Sequence, residues 1–108
     1  MADELSVETL RAQIDLLDEA IVRLLDQRAR CAFALGRVKR ELGRGIYEPG
    51  RESTVMAHVK AVNGALDGPL TADAIERLYE RIMDEARRIQ RVEIASHNDG
   101  AHAPETES

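Results

Sequence analysis

Residues 10–42 read LRAQIDLLDEAIVRLLDQRARCAFALGRVKREL, and the architecture of the chain follows from this segment. A cation inside a packed apolar stripe is costly to desolvate unless an anion meets it. Arg28 and Lys39 both fall inside the stripe that this stretch forms at about 100° per residue. The stretch therefore predicts one very long amphipathic helix with two inward cations that need an anionic partner. The apolar members of the stripe are Ile14, Leu17, Ile21, Leu24, Leu25, Ala32, Leu35 and Leu42.

The whole chain predicts an all-α fold of three helices of unequal length. Ser6 is a candidate N-cap for the first helix, and Gly43 follows its last turn. Pro49 suits the first turn of a second helix that stops near Asn63, and Thr71 suits the N-cap of a third. No segment alternates as a strand would. The expected helices cover about residues 7–42, 49–62 and 72–95.

The composition excludes several classes of protein. A chain of 108 residues forms one domain at most, and its formal net charge of −5 argues against nucleic-acid binding. The single Cys31 suits a reducing compartment, and no run is apolar enough for a signal peptide or a membrane span. We therefore expect a cytoplasmic protein without membrane contact. Its helical domain covers residues 1–95, and the polar residues 96–108 form a disordered tail.

The length of the first helix favours a homodimer. About 36 residues at a rise of 1.5 Å give a rod of roughly 54 Å, whereas a compact chain of about 100 residues has a radius of gyration near 13 Å. A monomer would leave part of the apolar stripe uncovered. We therefore expect a helical bundle of two chains whose long helices cover one another.

Charged and polar side chains also lie on the apolar faces of the other two helices. Glu48, Arg51 and Glu52 lie at the start of the second helix beside its stripe, and Gln90 flanks the stripe of the third. One interpretation is a buried salt-bridge network in which the carboxylates neutralise the cations. The other is a buried pocket for a small dianion that carries a hydroxyl, since three cations face two carboxylates and arginine suits bidentate carboxylate binding. Periodicity alone leaves both interpretations open.

The sequence contains no Ser-His-Asp, Cys-His or metal-ligand grouping and no glycine-rich phosphate loop. An enzyme built on this chain is therefore expected to need neither a nucleophile nor a metal.

Five segments resemble the all-helical class of chorismate mutases. They read LRAQID, LLDQRA, GRVK, IYEPGRE and IMDEARRIQ, and the resemblance spans about residues 10–94. It implies an intertwined homodimer of three-helix chains with two equivalent sites. It also implies an isomerase of the shikimate pathway, in aromatic amino acid biosynthesis toward phenylalanine and tyrosine. Such an enzyme converts chorismate to prephenate by a pericyclic shift that needs no cofactor.

The resemblance assigns carboxylate-binding roles to three cations of the first helix. Arg11 resembles the arginine that reaches into the partner's site to hold a substrate carboxylate, and Arg28 resembles the clamp from the same chain. Lys39 resembles the donor to the ether oxygen of the substrate and to a nearby carboxylate. Helix geometry agrees for Arg11, because roughly 42 Å of helix separate it from Lys39 and one chain can hardly place both in one pocket.

The remaining contacts that the resemblance implies come from the second and third helices. Glu52 resembles the acceptor of the substrate hydroxyl, Arg51 a neighbouring polar contact, and Gln90 the second donor to the ether oxygen. Glu48 stands where many relatives have a substrate-binding aspartate, and the exchange is expected to be mild if the backbone makes that contact. Ala86 departs from relatives that place a serine against a substrate carboxylate, and the missing hydrogen bond is expected to weaken binding by roughly 1.5–3 kcal/mol.

The chemistry that the resemblance implies needs hydrogen-bond donors at one oxygen. The C–O bond breaks ahead of C–C bond formation, so negative charge grows on the ether oxygen. Fixed donors such as Lys39 and Gln90 stabilise this transition state more than the ground state. Since an amide at position 90 donates at any pH, activity is not expected to require acid.

The sequence is compatible with other functions as well. The same fold and pocket would suit an isochorismate pyruvate lyase or an aminodeoxychorismate mutase. A non-catalytic helical dimerisation module is a further alternative, although a pure coiled-coil seam would not keep Arg28 and Lys39 inward. The sequence also leaves open whether the chain docks on another enzyme of the shikimate pathway.

Overall fold

The computed structural model describes the backbone of residues 6–102 and the side chains of residues 6–96. Three helices make up this part of the chain, and it contains no strand. The predicted all-α fold of one very long and two shorter helices is therefore confirmed. The helices are α1 (Val7–Leu42), α2 (Pro49–Leu66) and α3 (Ala72–His102).

Both ends of α1 are capped as the sequence predicts. The Ser6 side-chain oxygen accepts a hydrogen bond from the backbone N–H of Thr9 at 3.1 Å. At the other end Gly43 adopts a φ of 70°, which costs glycine no steric strain. The backbone N–H of Gly43 donates to the Arg40 carbonyl, and that of Arg44 donates to the Lys39 carbonyl. These two bonds form a Schellman motif, which stops the helix directly after the turn that carries Lys39.

The second helix runs further than the sequence predicts. It continues through Asn63 and Gly64 and ends at Leu66, where Asp67 adopts left-handed backbone angles of φ 51° and ψ 41°. Asparagine and glycine cost helix stability but do not block it as proline does, so this pair alone does not end the helix. The Asn63 side-chain amide donates to the Leu70 carbonyl at 2.8 Å and ties the end of α2 to the following connector.

The third helix begins at the predicted cap and also runs further. The Thr71 hydroxyl accepts a hydrogen bond from the Ala74 N–H at 3.1 Å. The backbone stays helical to His102 rather than ending near residue 95. The first seven residues of the predicted tail thus continue α3, since they are polar but include no proline to break the helix. Residues 103–108 lie outside the described part of the chain.

The chain divides into two units, Met1–Cys31 and Ala32–Ser108. In the second unit α2 packs against α3. Among its described residues, Ala32 and Met83 are buried, but so are three polar or charged ones. These are Lys39, Gln90 and Glu93. The interior of the second unit therefore contains ionisable and hydrogen-bonding groups, which is where a binding site is expected.

The described part of the first unit is Ser6 and the N-terminal part of α1, whose apolar stripe is exposed. The exposed fraction is 54% for Ile14, 61% for Leu17 and 52% for Ile21. Exposed apolar faces of this length mark interaction surfaces. No helix in the described part of the chain is long and apolar enough to cross a membrane.

Candidate functional site

The centre of the candidate site is the buried ammonium of Lys39, in the last turn of α1. Its Nζ lies 2.8 Å from Glu48 Oε1 and 3.2 Å from Gln90 Oε1, and it donates to the Ile46 carbonyl at 3.0 Å. Lys39 and Gln90 are only 5% and 6% exposed, so their geometry is held by packing. Three elements thus meet at one cation: the end of α1, the connector after it, and α3. We call Lys39, Glu48 and Gln90 the lysine cluster.

Gly36 explains why α3 can bring Gln90 so close to α1. Gly36 lies about one turn before Lys39 and is buried. A Cβ built on Gly36 would stand 3.1 Å from the Gln90 Cα, which is closer than most real side chains approach backbone. The missing side chain therefore sets the distance between the two helices at the level of the site.

The electrostatics of the lysine cluster is that of an ion pair at the edge of the core. The hydrogen bond from Lys39 and then its positive charge hold the pKa of the Glu48 carboxyl below its ordinary value, against a smaller opposing effect of burial. Arg44 and Arg51 add to the effect. Lys39 is almost fully buried, whereas the Glu48 side chain is 42% exposed. The carboxylate can therefore move into water at little cost, and the ammonium cannot.

The hydrogen-bonding pattern leaves the amide of Gln90 suited to donate. An ammonium has three donors and no acceptor, and Lys39 directs them to three oxygens in this structure. Gln90 accepts through Oε1, so its amide NH2 group is not used in this contact. Displacement of Glu48 by a ligand oxygen would place that oxygen beside both Lys39 and Gln90. The arrangement can stabilise negative charge on a small buried ligand.

Glu52 lies in a second group of contacts, on an open cavity of about 480 Å³. Its Oε2 pairs with Nη1 of Arg87, and Nη2 of the same guanidinium lies 3.2 Å from Asp84 Oδ1. The Arg87 guanidinium lies over the Tyr47 ring, 5.5 Å from its centroid. The cavity is lined by Tyr47, Glu52, Glu80, Met83, Arg87 and Arg91.

Glu93 is the most deeply buried charged group in the described part of the chain. It is 4% exposed, and its Oε1 pairs with Arg40 Nη1 and lies 3.8 Å from Arg37 Nε. Its Oε2 is buried without a hydrogen-bond partner among the described residues. The ion pair joins the last turns of α1 to α3, within a few residues of Lys39 and Gln90.

Among the predicted site residues, Lys39 contacts both Glu48 and Gln90, whereas Glu52 contacts Arg87. The remaining predicted residues are Arg11, Arg28, Arg51 and Ala86. Arg51 is exposed on α2, and Ala86 is half-buried on α3. In the first unit, Arg11 is exposed and Arg28 is half-buried on α1.

Glu93 and Arg87 form ionic contacts near the candidate site that the sequence pattern does not single out. Glu93 lies at about 20° from Ile82 on the helical count, inside the stripe of α3, so the pattern could have revealed it. Arg87 lies at about 140° on the same count, and no periodic signal points to it. It reaches Glu52 only because its side chain is long.

Known proteins resemble the chain over most of its length. A model of the family described as chorismate mutase type II matches residues 10–91. The bifunctional chorismate mutase/prephenate dehydratase of Pseudomonas aeruginosa is 41% identical over an alignment of 88 residues, which covers 77% of this chain and 23% of that protein. The T-protein of Enterobacter agglomerans is 38% identical over 71% of this chain and 20% of its own length. The chain thus spans about a quarter or less of these relatives.

A solved structure of similar size matches as well. The chorismate mutase (form II) of Thermus thermophilus superposes with a TM-score of 0.74 and 30% identity, covering 79% of this chain and 93% of that one.

Proposed function

The chain belongs to the type II chorismate mutase family, and we propose that it catalyses the rearrangement of chorismate to prephenate. The observation that carries the proposal is the lysine cluster. A buried ammonium and a buried amide meet at one point, beside a carboxylate that is free to leave. This is the arrangement that a reaction with charge growing on a single oxygen requires.

The proposed mechanism uses Lys39 and Gln90 as donors to the ether oxygen. The substrate is a dianion, so one of its oxygens replaces the Glu48 carboxylate at the Lys39 ammonium. As the C–O bond breaks, Nζ of Lys39 and the amide NH2 of Gln90 stabilise the growing negative charge. Both donors are fixed before the substrate arrives, because packing holds each of them almost fully buried.

The remaining predicted contacts orient the substrate. Glu52 accepts from the ring hydroxyl, while Arg11, Arg28 and Arg51 bind or flank the carboxylates. Holding the side chain of the substrate over its ring converts a flexible molecule into a reactive conformer. Ala86 makes no hydrogen bond from its side chain, so we expect the loss to fall on substrate affinity rather than on the chemical step.

We further propose that two chains form a homodimer and that Arg11 serves the site of the partner. The exposed apolar stripe of the first unit supports this, because a second copy of the stripe is the surface that would cover it. Cytoplasmic location and docking on another enzyme of the shikimate pathway stay predictions.

Product analysis distinguishes the proposed reaction from those of an isochorismate pyruvate lyase and an aminodeoxychorismate mutase, which act on similar substrates. The purified chain is incubated separately with chorismate, isochorismate and aminodeoxychorismate, and the products are identified by mass and retention. Prephenate formed from chorismate faster than any product from the other two substrates is the expected result. Pyruvate released from isochorismate as the main activity would contradict the proposal and favour the lyase.

Mixing two inactive variants tests the shared site. Arg11→Ala and Lys39→Ala chains are unfolded together and refolded in equal amounts, so that half of the dimers are hybrids. Each hybrid then contains one intact site and one doubly altered site, and about a quarter of the wild-type activity should return. Activity no higher than that of the separate variants would contradict a site built from both chains.

Replacing Gly36 with alanine tests the close approach of α1 and α3. The added Cβ pushes against the Gln90 backbone, so kcat is expected to fall by about tenfold as the amide moves away from the ether oxygen. Stability should change by about 1 kcal/mol or less, because the gain in helix propensity offsets the overpacking.

The matched control for this variant is Gly64→Ala. Gly64 is also helical, but a Cβ there meets nothing within 4 Å. It should stabilise the protein by roughly 0.4–1 kcal/mol and leave kcat unchanged. Equal kcat values for the two variants would show that Gly36 does not set the position of Gln90.

A further inference from the structure

Arg87 is fixed by three neighbours on one side of the cavity that Glu52 lines. Its Nη1 donates to Glu52 Oε2, its Nη2 lies 3.2 Å from Asp84 Oδ1, and its guanidinium lies over the Tyr47 ring. The side chains of Arg87 and Glu52 are only 25% and 24% exposed. A planar guanidinium that is stacked on a ring and paired with two carboxylates is held in a fixed orientation.

This contact joins two helices of the second unit. Glu52 lies on α2, whereas Arg87 lies on α3, three residues before Gln90. The ion pair therefore ties the carboxylate of α2 to the helix that carries a donor for the ether oxygen. Because Arg87 binds Oε2 of Glu52, the ion pair fixes the rotation of this carboxylate. Oε1 of Glu52 can then accept a hydrogen bond from a ligand hydroxyl.

We propose that Arg87 is a positioning residue, which holds Glu52 in the orientation that accepts the hydroxyl of the substrate. The inference rests on the proposed function, in which Glu52 contacts that hydroxyl. Arg87 acts through Glu52 and needs no contact with the substrate. Asp84 and Tyr47 in turn hold the guanidinium, so the orientation is set before the substrate binds.

A double-mutant cycle tests whether Arg87 acts through Glu52. In the wild-type background, Arg87→Gln should lower kcat/KM for chorismate by about 10- to 100-fold, the range expected when a hydrogen bond to a charged group is misplaced. In the Glu52→Gln background, the same change should lower kcat/KM by less than about threefold. Arg87→Lys keeps the charge without the planar fork and should recover only part of the activity.

The matched control is Arg81→Gln. Arg81 is another arginine of α3 that pairs with Asp84, but it also pairs with Glu85 and is 70% exposed. Its replacement should leave kcat/KM within about twofold of wild type. Circular dichroism and the midpoint of urea unfolding are measured for every variant. If Arg87→Gln does not fold, the cycle is carried out with Arg87→Lys and judged by the same criterion.

The outcomes separate this inference from the function on which it rests. If the wild-type chain does not convert chorismate, the proposed function is wrong, and the role of Arg87 that depends on it is wrong as well. If the wild type is active and Arg87→Gln loses equal activity with and without Glu52, Arg87 supports the fold rather than Glu52, and the inference alone is overturned. Unchanged activity of a folded Arg87→Gln variant would overturn it as well.

Discussion

Replacing Lys39 with alanine is expected to lower kcat for chorismate by about 100- to 1000-fold, the range found when one fixed donor to a developing oxyanion is removed. Lys39 Nζ is the buried cation at the meeting point of α1, the connector and α3. Its charge acts in a site that is largely shielded from water, where it is worth more than at the surface. The fold should survive the change, because Glu48 can turn its carboxylate to solvent.

The control for this variant is Lys60→Ala, since Lys60 is the second lysine of the chain. Its ammonium pairs with Glu76 and joins α2 to α3 outside the lysine cluster. Steady-state kinetics and dimer size are measured for both variants, and Lys60→Ala should keep kcat within about twofold of wild type. If Lys39→Ala also kept its kcat, the lysine cluster would be a structural salt bridge and the catalytic role of Lys39 would be wrong.

Replacing Arg40 with leucine is expected to lower the free energy of unfolding by about 3–5 kcal/mol, the range for a buried charge that loses its partner. Glu93 would stay 4% exposed, with one carboxylate oxygen already without a hydrogen-bond partner among the described residues. Arg37 Nε lies 3.8 Å from the other oxygen and compensates only in part, so the loss should fall near the lower end. Urea unfolding at one fixed protein concentration measures it.

A second change tests the reason for this loss. Adding Glu93→Leu to Arg40→Leu removes the stranded charge, and most of the lost stability should return, since apolar residues can replace a buried ion pair without cost. The exposed pair of Arg30 and Asp26 provides the control, and Arg30→Leu should change stability by about 0.5 kcal/mol or less. An Arg40→Leu variant as stable as the wild type would show that Glu93 needs no partner.

Both ends of α1 could be predicted from the sequence because local chemistry decides them. The Ser6 hydroxyl and the left-handed backbone of Gly43 cap the helix through hydrogen bonds to residues at most five positions away. The C-terminal ends of α2 and α3 lie beyond the positions that the sequence predicts. Asn63 and Gly64 weaken a helix without ending it, and α2 stops instead at Asp67, whose left-handed backbone angles precede Gly68 and Pro69.

The lysine cluster could also be anticipated, because its members lie on or beside apolar stripes and stripes face one another. Periodicity placed Lys39 and Gln90 inward, and the structure brings their side chains within hydrogen-bond distance. The contacts of Arg87 could not be predicted from periodicity. It lies away from the stripe, and only the tertiary positions of Glu52 and Tyr47 draw its side chain back to the cavity.

The inward charges can be interpreted either as a salt-bridge network or as a pocket for a dianion, and both interpretations concern Lys39 and Glu48. Glu48 neutralises Lys39, as a salt-bridge network requires, yet it is half-exposed while the lysine is buried. An exchangeable anion on a fixed cation fits a site that a dianionic ligand enters.

The rate of chorismate conversion by the purified wild-type chain, at neutral pH and in the presence of EDTA, decides whether this protein is a chorismate mutase. Loss of chorismate absorbance with stoichiometric formation of prephenate, at a rate far above the uncatalysed one, is the predicted result. No conversion above the uncatalysed rate by a folded protein would contradict the proposed function, and the non-catalytic dimerisation module would then be the better account.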